Sequence, residues 1–166
     1  MPETTKIYLN KILNPYIQKH EVDLPGGEKI LVGIFPITDA FQDAQVEAIQ
    51  EIQEALGMTE KEYDEYEERR MQRYAKFKQE VDDGKTEEEA WLNTENEDID
   101  RKFTREWNRR IVPLQIVHMV VDPESGESLF TREDAMRLPR KLRIFLTQLC
   151  SERIRDENLG IEESKK

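Results

Sequence analysis

A single cysteine, Cys150, stands in the whole chain. No disulfide can form within it, and a reducing cytoplasm suits such a chain. Cys150 falls in FLTQLC, on an apolar helical pattern where a thiol packs as a small hydrophobe. Histidine is almost as scarce, with His20 and His118 only. His118 and Asp122 stand four residues apart, but two ligands do not make a metal site. The Glu-x-x-His pairs of a di-iron bundle are missing, as is a Gly-x-x-x-x-Gly-Lys phosphate loop. Apolar stretches are short, none approaching the roughly 18 residues that span a bilayer. The opening MPETTKIYLN lacks the basic-then-apolar build of a signal peptide. These absences lead us to expect a cytoplasmic protein with no catalytic residue, no metal, no cofactor and no membrane partner.

Charge is abundant. The 166 residues carry 36 acidic and 25 basic side chains, a net charge of −11, and charged and hydrophobic residues each make up 37%. An ordinary globular domain is about 25% charged. Nucleic acid is a poor partner for such a chain, because phosphate recognition rests on clustered Lys and Arg. Arg132, Arg137, Arg140, Lys141 and Arg143 do cluster. The overall charge favours reading them as a basic face that meets acidic partners or acidic segments of the same chain.

The first 37 residues read as β-rich. Val22 and Leu24 alternate with Glu21 and Asp23, Pro25-Gly26-Gly27 breaks the chain, and Ile30, Val32 and Ile34 alternate after it. That pattern predicts a hairpin with one buried face. Upstream, Ile7, Leu9, Ile12 and Leu13 suit a further strand or a docking arm, with Pro15 breaking the element.

Helical patterns follow. Thr38-Asp39 caps a helix whose apolar positions run from Phe41 through Ile52 to Leu56, with Gly57 as its stop. Thr59 and Glu62 form a capping box at the head of a charged helix running to about Gly84. Tyr63, Tyr66, Tyr74, Phe77 and Val81 mark a narrow stripe on it, so that it reads as an arm near 59–84. Thr86 caps a short helix with Trp91 and Leu92. Thr94 and Glu97 suggest another capping box, before Ile99, Phe103, Trp107 and Ile111 at four-residue spacing. Pro113 is expected to end or kink that helix. The run 114–121 fits a strand by its β-branched content and a buried helix by its position, and helix is the preferred reading. The fold class is therefore α+β, mostly α, with a small N-terminal hairpin packed on a helical body. A single domain over 1–166 is expected, with a helical body over 38–158 and a flexible tail over 159–166.

Near the end comes DPESGESLFTREDAMRLPRKL. Asp122 to Gly126 is a turn, Leu129 and Phe130 are apolar plugs, and Thr131 caps a helix with Asp134 at its third position. Pro139 interrupts the pattern before a last helix carrying Leu142, Phe145, Leu146 and Leu149. A segment of this form, here Asp122 through Asp134 with Gly126, Leu129, Phe130 and Thr131 in place, resembles the tail assembly chaperones of long-tailed bacteriophages and prophages. The order of a β-rich start, the helix entered through Phe35-Pro36-Ile37-Thr38-Asp39 and the charged helices is similar too. The charged stretch from Thr59 to Asp98 is longer than in that family.

The resemblance implies a protein without catalysis. It would bind and solubilise the tape measure protein in the host cytoplasm, help recruit the major tail tube protein, and self-associate. Candidate protein-binding residues are Tyr63, Tyr66, Tyr74, Phe77, Trp91, Leu129 and Phe130, since exposed aromatics favour interfaces. Trp107 reads as core. Two other classes remain. An acidic mimic of DNA that blocks a nucleic-acid-binding protein suits the net charge, but interspersed Arg and Lys weaken it. A Mg-dependent all-α nucleotide pyrophosphohydrolase would use acidic pairs such as Glu65/Glu68 and Glu80/Asp83. A solvated acidic helix face explains those pairs better.

Overall fold

The computed structural model describes residues 9–94 and 96–164, with side chains through residue 158. The described residues fall into two compact units. One joins the residues up to Glu47 with those from Asn108 onward, and the other is Ala48–Trp107.

The first unit holds the hairpin. Strands β1 (Gln18–Asp23) and β2 (Lys29–Ile34) pair antiparallel, with Val22 opposite Ile30 and His20 opposite Val32. The turn closes through Leu24 N–H to Glu28 O at 2.7 Å, and Gly26 and Gly27 adopt φ of 99° and 86°, which only glycine takes readily. The sheet gains a strand that the sequence left open. β3 (Val120–Val121) pairs antiparallel with β2, giving the order β1-β2-β3, and Phe35 N–H extends the ladder to Met119 O at 2.7 Å. The alternation of β1 and β2 buries Val22, Val32 and Ile34. Between the paired strands Gly33 is crowded, because a Cβ there would lie 2.4 Å from the Ile17 side chain.

Before the hairpin, residues 9–13 are helical (α1) and a 3₁₀ turn, Asn14–Tyr16, leads into β1. A strand was one expectation here; Pro15 in the first turn suits the 3₁₀ turn instead. Ile7 lies outside the described residues. Helix α2 (Asp39–Leu56) starts where Thr38 Oγ1 accepts from Phe41 N–H at 3.1 Å, and Gly57, at φ 67°, ends it.

In the second unit, α3 (Glu60–Asp82) opens with the expected capping box, Thr59 and Glu62 satisfying each other's backbone. α4 (Glu87–Leu92) is capped by Thr86. α5 (Asp100–Met119) corrects two expectations. Its N-terminus is not a Thr94–Glu97 box: Thr94 Oγ1 donates back to Ala90 O at 2.9 Å, and Glu97 N–H donates to the Asp100 carboxylate at 2.8 Å. Nor does Pro113 end the helix. Proline withdraws one backbone donor, but Ile111, Val112 and Ile116 around it are buried, and packing outweighs the lost bond. The run 114–121 is helix through Met119 and strand only at its last two residues.

Helix α6 (Arg132–Arg137) carries the expected Thr131–Asp134 capping box. Pro139 then separates it from α7 (Arg140–Ser164), which lies against β2. Arg153 of α7 donates to Tyr16 O at 3.1 Å, and Glu157 accepts from Ile37 N–H at 3.3 Å. These bonds fix the end of the 3₁₀ turn and the approach to α2 on the helix. The polar end expected to fray is helical to Ser164.

Candidate protein-binding surfaces

The aromatic stripe of α3 divides along its length. At its start Tyr63 and Tyr66 are buried, 5% and 0% exposed. Both rings meet Phe103 of α5, Tyr66 edge-on at 5.4 Å. These two tyrosines therefore belong to the core of the second unit and are not presented to a partner. Further along, Tyr74 is 59% exposed and Phe77 is half-buried. Phe77 lies against Trp91 of α4, centroids 4.3 Å apart, and Tyr74 is next to Phe77 at 6.3 Å. Trp91 is 52% exposed. Tyr74, Phe77 and Trp91 form a continuous aromatic ridge on the surface of that unit, the kind of feature that marks interfaces.

Beneath the ridge is a polar knot that the sequence did not reveal. Asp100 stands at the head of α5 and accepts from the Tyr66 hydroxyl, from Arg73 (one bond at 2.8 Å) and from the Glu97 backbone N–H. Arg73 also reaches Glu97 at 3.2 Å, and Arg69 pairs with the same carboxylate at 3.0 Å. The Arg73 bond above all, against the opposing effect of burial, lowers the Asp100 carboxyl to about 2. Burial raises the Tyr66 phenol, with Asp100 adding to it, and burial also pushes Tyr63 up to about 12. Arg70 lies over the Phe103 ring at 4.6 Å and reaches toward half-buried Trp107.

A small cavity of ≈ 190 Å³ opens between Tyr66, Arg73, Tyr74, Trp91 and Asp100. Arg70 and Arg73 facing it are matched by Glu67 and Asp100, so the knot is suited to holding α3 to the start of α5. A carboxylate kept ionised this strongly is a poor general base near neutral pH. Asp100 was legible only as one acid among many. The available signal was its place at a helix start ahead of Phe103.

Leu129 and Phe130 are not the plugs expected of them. Leu129 is 40% exposed and Phe130 half-buried. The backbone anchors this segment instead. Leu129 N–H bonds Val120 O at 3.3 Å, Ser128 forms a bridge with Val121, and Ser128 Oγ donates to Val117 O at 2.7 Å. Asp122 organises the preceding turn by accepting from Glu124 and Ser125 N–H, both at 2.9 Å, which lowers its carboxyl. Gly126, at φ 73°, completes the turn.

The remaining reactive side chains are quiet. Cys150 is fully buried, and burial pushes its thiol up to about 12, leaving little thiolate. His118 is lowered by burial beside Phe41, centroids 5.8 Å apart. Glu65, Glu68 and Glu80 share the single helix α3 and Asp83 caps its end, so the two acidic pairs cannot converge. Among the described residues no group of three or more potential metal ligands is found, and no helix is long and apolar enough to cross a membrane. No family model, curated protein or solved structure matches this chain.

Proposed function

We propose that this chain is a non-catalytic tail assembly chaperone. It binds and solubilises the tape measure protein in the host cytoplasm, helps recruit the major tail tube protein, and associates with further copies of itself. The observation that carries this reading is the exposed ridge of Tyr74, Phe77 and Trp91 on a unit with 19 acidic and 10 basic residues. Aromatic rings offer a long apolar helix its contact, and the surrounding negative charge keeps the complex dispersed. Resemblance through Asp122–Asp134 names the partner class.

Co-expression with the tape measure protein tests it. The tape measure protein is expected in the soluble fraction and in a pull-down with the wild-type chain. Trp91→Ala with Tyr74→Ala should lose most of both. An insoluble, uncaptured tape measure protein with the wild-type chain sinks the proposal.

A second reading, an acidic mimic of DNA, draws on the same concentration of charge. Arg69, Arg70 and Arg73 interrupt the negative face by pairing with Glu97, Glu67 and Asp100. Competition with DNA for a basic protein separates the two.

A further inference from the structure

The first unit carries a candidate surface of its own. β1 is an edge strand of the sheet. The bond from Leu24 N–H to Glu28 O, with the register of the hairpin, fixes which way its backbone points. Gln18, His20 and Val22 turn their N–H and C=O toward β2. Lys19, Glu21 and Asp23 turn theirs outward, and among the described residues nothing pairs with those backbone groups. An unpaired edge is a template for another strand.

At the Glu21–Asp23 end this edge borders a groove of ≈ 690 Å³. Its apolar lining comes from Val22, Leu24 and Pro25 on the hairpin and from Leu142 and Phe145 on α7. Phe145 is 40% exposed there, although its helical position reads as core. A strand laid along β1 would alternate its side chains across the sheet, and every second one would enter this groove.

Charge selects among such strands. Arg140 and Lys141 stand in the first turn of α7 and line the groove. That turn holds no acidic residue, and neither cation forms an ion pair among the described residues. Two cations add to the positive partial charge of a helix start, an arrangement that a bound carboxylate relieves. Glu21 and Asp23 do not compete for them, since both approach Lys29, at 3.6 and 4.0 Å.

We propose that the groove between the free edge of β1 and the start of α7 is a strand-addition site. Its occupant is an extended segment of a partner protein, apolar at alternate positions and ending in acidic residues that meet Arg140 and Lys141. Backbone pairing at Glu21 and Asp23 holds the segment, Leu142 and Phe145 select its apolar side chains, and the two cations set its polarity. This goes beyond the tape measure reading and does not depend on it.

The test uses the full chain and a fluorescein-labelled peptide alternating valine and threonine and ending in two aspartates. Fluorescence anisotropy should show saturable binding. Affinity should fall about tenfold or more when the aspartates are replaced by lysines, or when the peptide backbone is N-methylated at its threonines. Combined Arg140→Glu and Lys141→Glu should reverse the preference between the two peptides. Phe145→Asp should abolish binding with the circular dichroism spectrum unchanged. Hydrogen exchange should slow at the Glu21 and Asp23 amides and stay unchanged at His20 and Val22. Absence of saturable binding, equal binding of the acidic and basic peptides, or undiminished binding of the N-methylated peptide overturns the proposal. So does a groove filled by a second copy, seen as a dimer in sedimentation that Phe145→Asp dissolves and the peptide cannot enter.

Discussion

Ala48–Trp107 holds a net charge of −9, and the rest of the chain only −2. The sixty residues of the acidic unit bury Ile52, Leu56 and Ala90 together with two tyrosines and a phenylalanine, and set against them a carboxylate bound to an arginine of another helix. The other unit buries mainly aliphatic side chains, with Phe41, around a three-stranded sheet, and a part-buried ion pair there, Arg153 with Glu157 at 3.0 Å, lies within a single helix. Both units thus have apolar cores, and the acidic one adds a polar knot that ties two of its helices together. Solvent conditions that act on charge should separate them.

Substitutions test that contrast most strongly. Ile34→Ala, at a fully buried site in β2, should cost about 2–5 kcal/mol and speed amide exchange in the strands first. Asp100→Ala should cost about 2 kcal/mol, because it leaves the Tyr66 hydroxyl without its acceptor and Arg73 with Glu97 in place of two carboxylates, and its exchange signature should appear in α3 and α5. Urea unfolding with residue-resolved exchange measures both; matching exchange patterns for the two variants would erase the distinction. Gly33→Ala should cost about 1–3 kcal/mol, since the new methyl meets Ile17, Val121 and Pro123 within 3.2 Å. Ile17→Val in the same chain should recover part of that loss.

Acid sharpens the contrast further. The folded Asp100 carboxyl, at about 2, lies below its ordinary 3.8. Its contribution is complete above pH 3.8 and disappears as pH falls through 2. That amounts to about 2 kcal/mol, with some allowance for a side chain that is 24% exposed. The difference in urea midpoint between wild type and Asp100→Asn should therefore shrink as pH falls from 5 to 2.5. The smallest expected effect is Thr59→Ala, about 1 kcal/mol from the lost cap at the head of α3, read as a small shift in thermal midpoint.

Local signals were the readable part of the sequence. Caps at Thr38, Thr59, Thr86 and Thr131 act between neighbouring residues, and the hairpin is set by Gly26-Gly27 and the alternation around it. What escaped needs partners far along the chain. β3 is a strand only because Gly33 and Ile34 wait beside Val121 and Val120. Pro113 stays inside a helix because its surroundings are buried. The surface ridge was partly visible: Tyr74, Phe77 and Trp91 are placed outward or at the boundary. Tyr63 and Tyr66 lie at the same helical spacing, and only Phe103 and Asp100 turn them inward. Periodicity cannot tell an outward stripe from an inward one when both are aromatic.

Asn14 bonds the carbonyls of Pro123 and Glu124, and Lys19 reaches the Glu124 carboxylate at 3.2 Å, across more than a hundred residues of chain. A polypeptide leaving the ribosome has made its hairpin by residue 34 but cannot complete the sheet until residues 120–124 emerge. The intervening helical segment, with its short-range contacts, is synthesised in full during that wait. Contacts this remote raise contact order and slow the final closure. The expected order of assembly is therefore acidic segment first and sheet last, and truncation before residue 120 should leave a nascent chain with its two-stranded hairpin lacking the third strand.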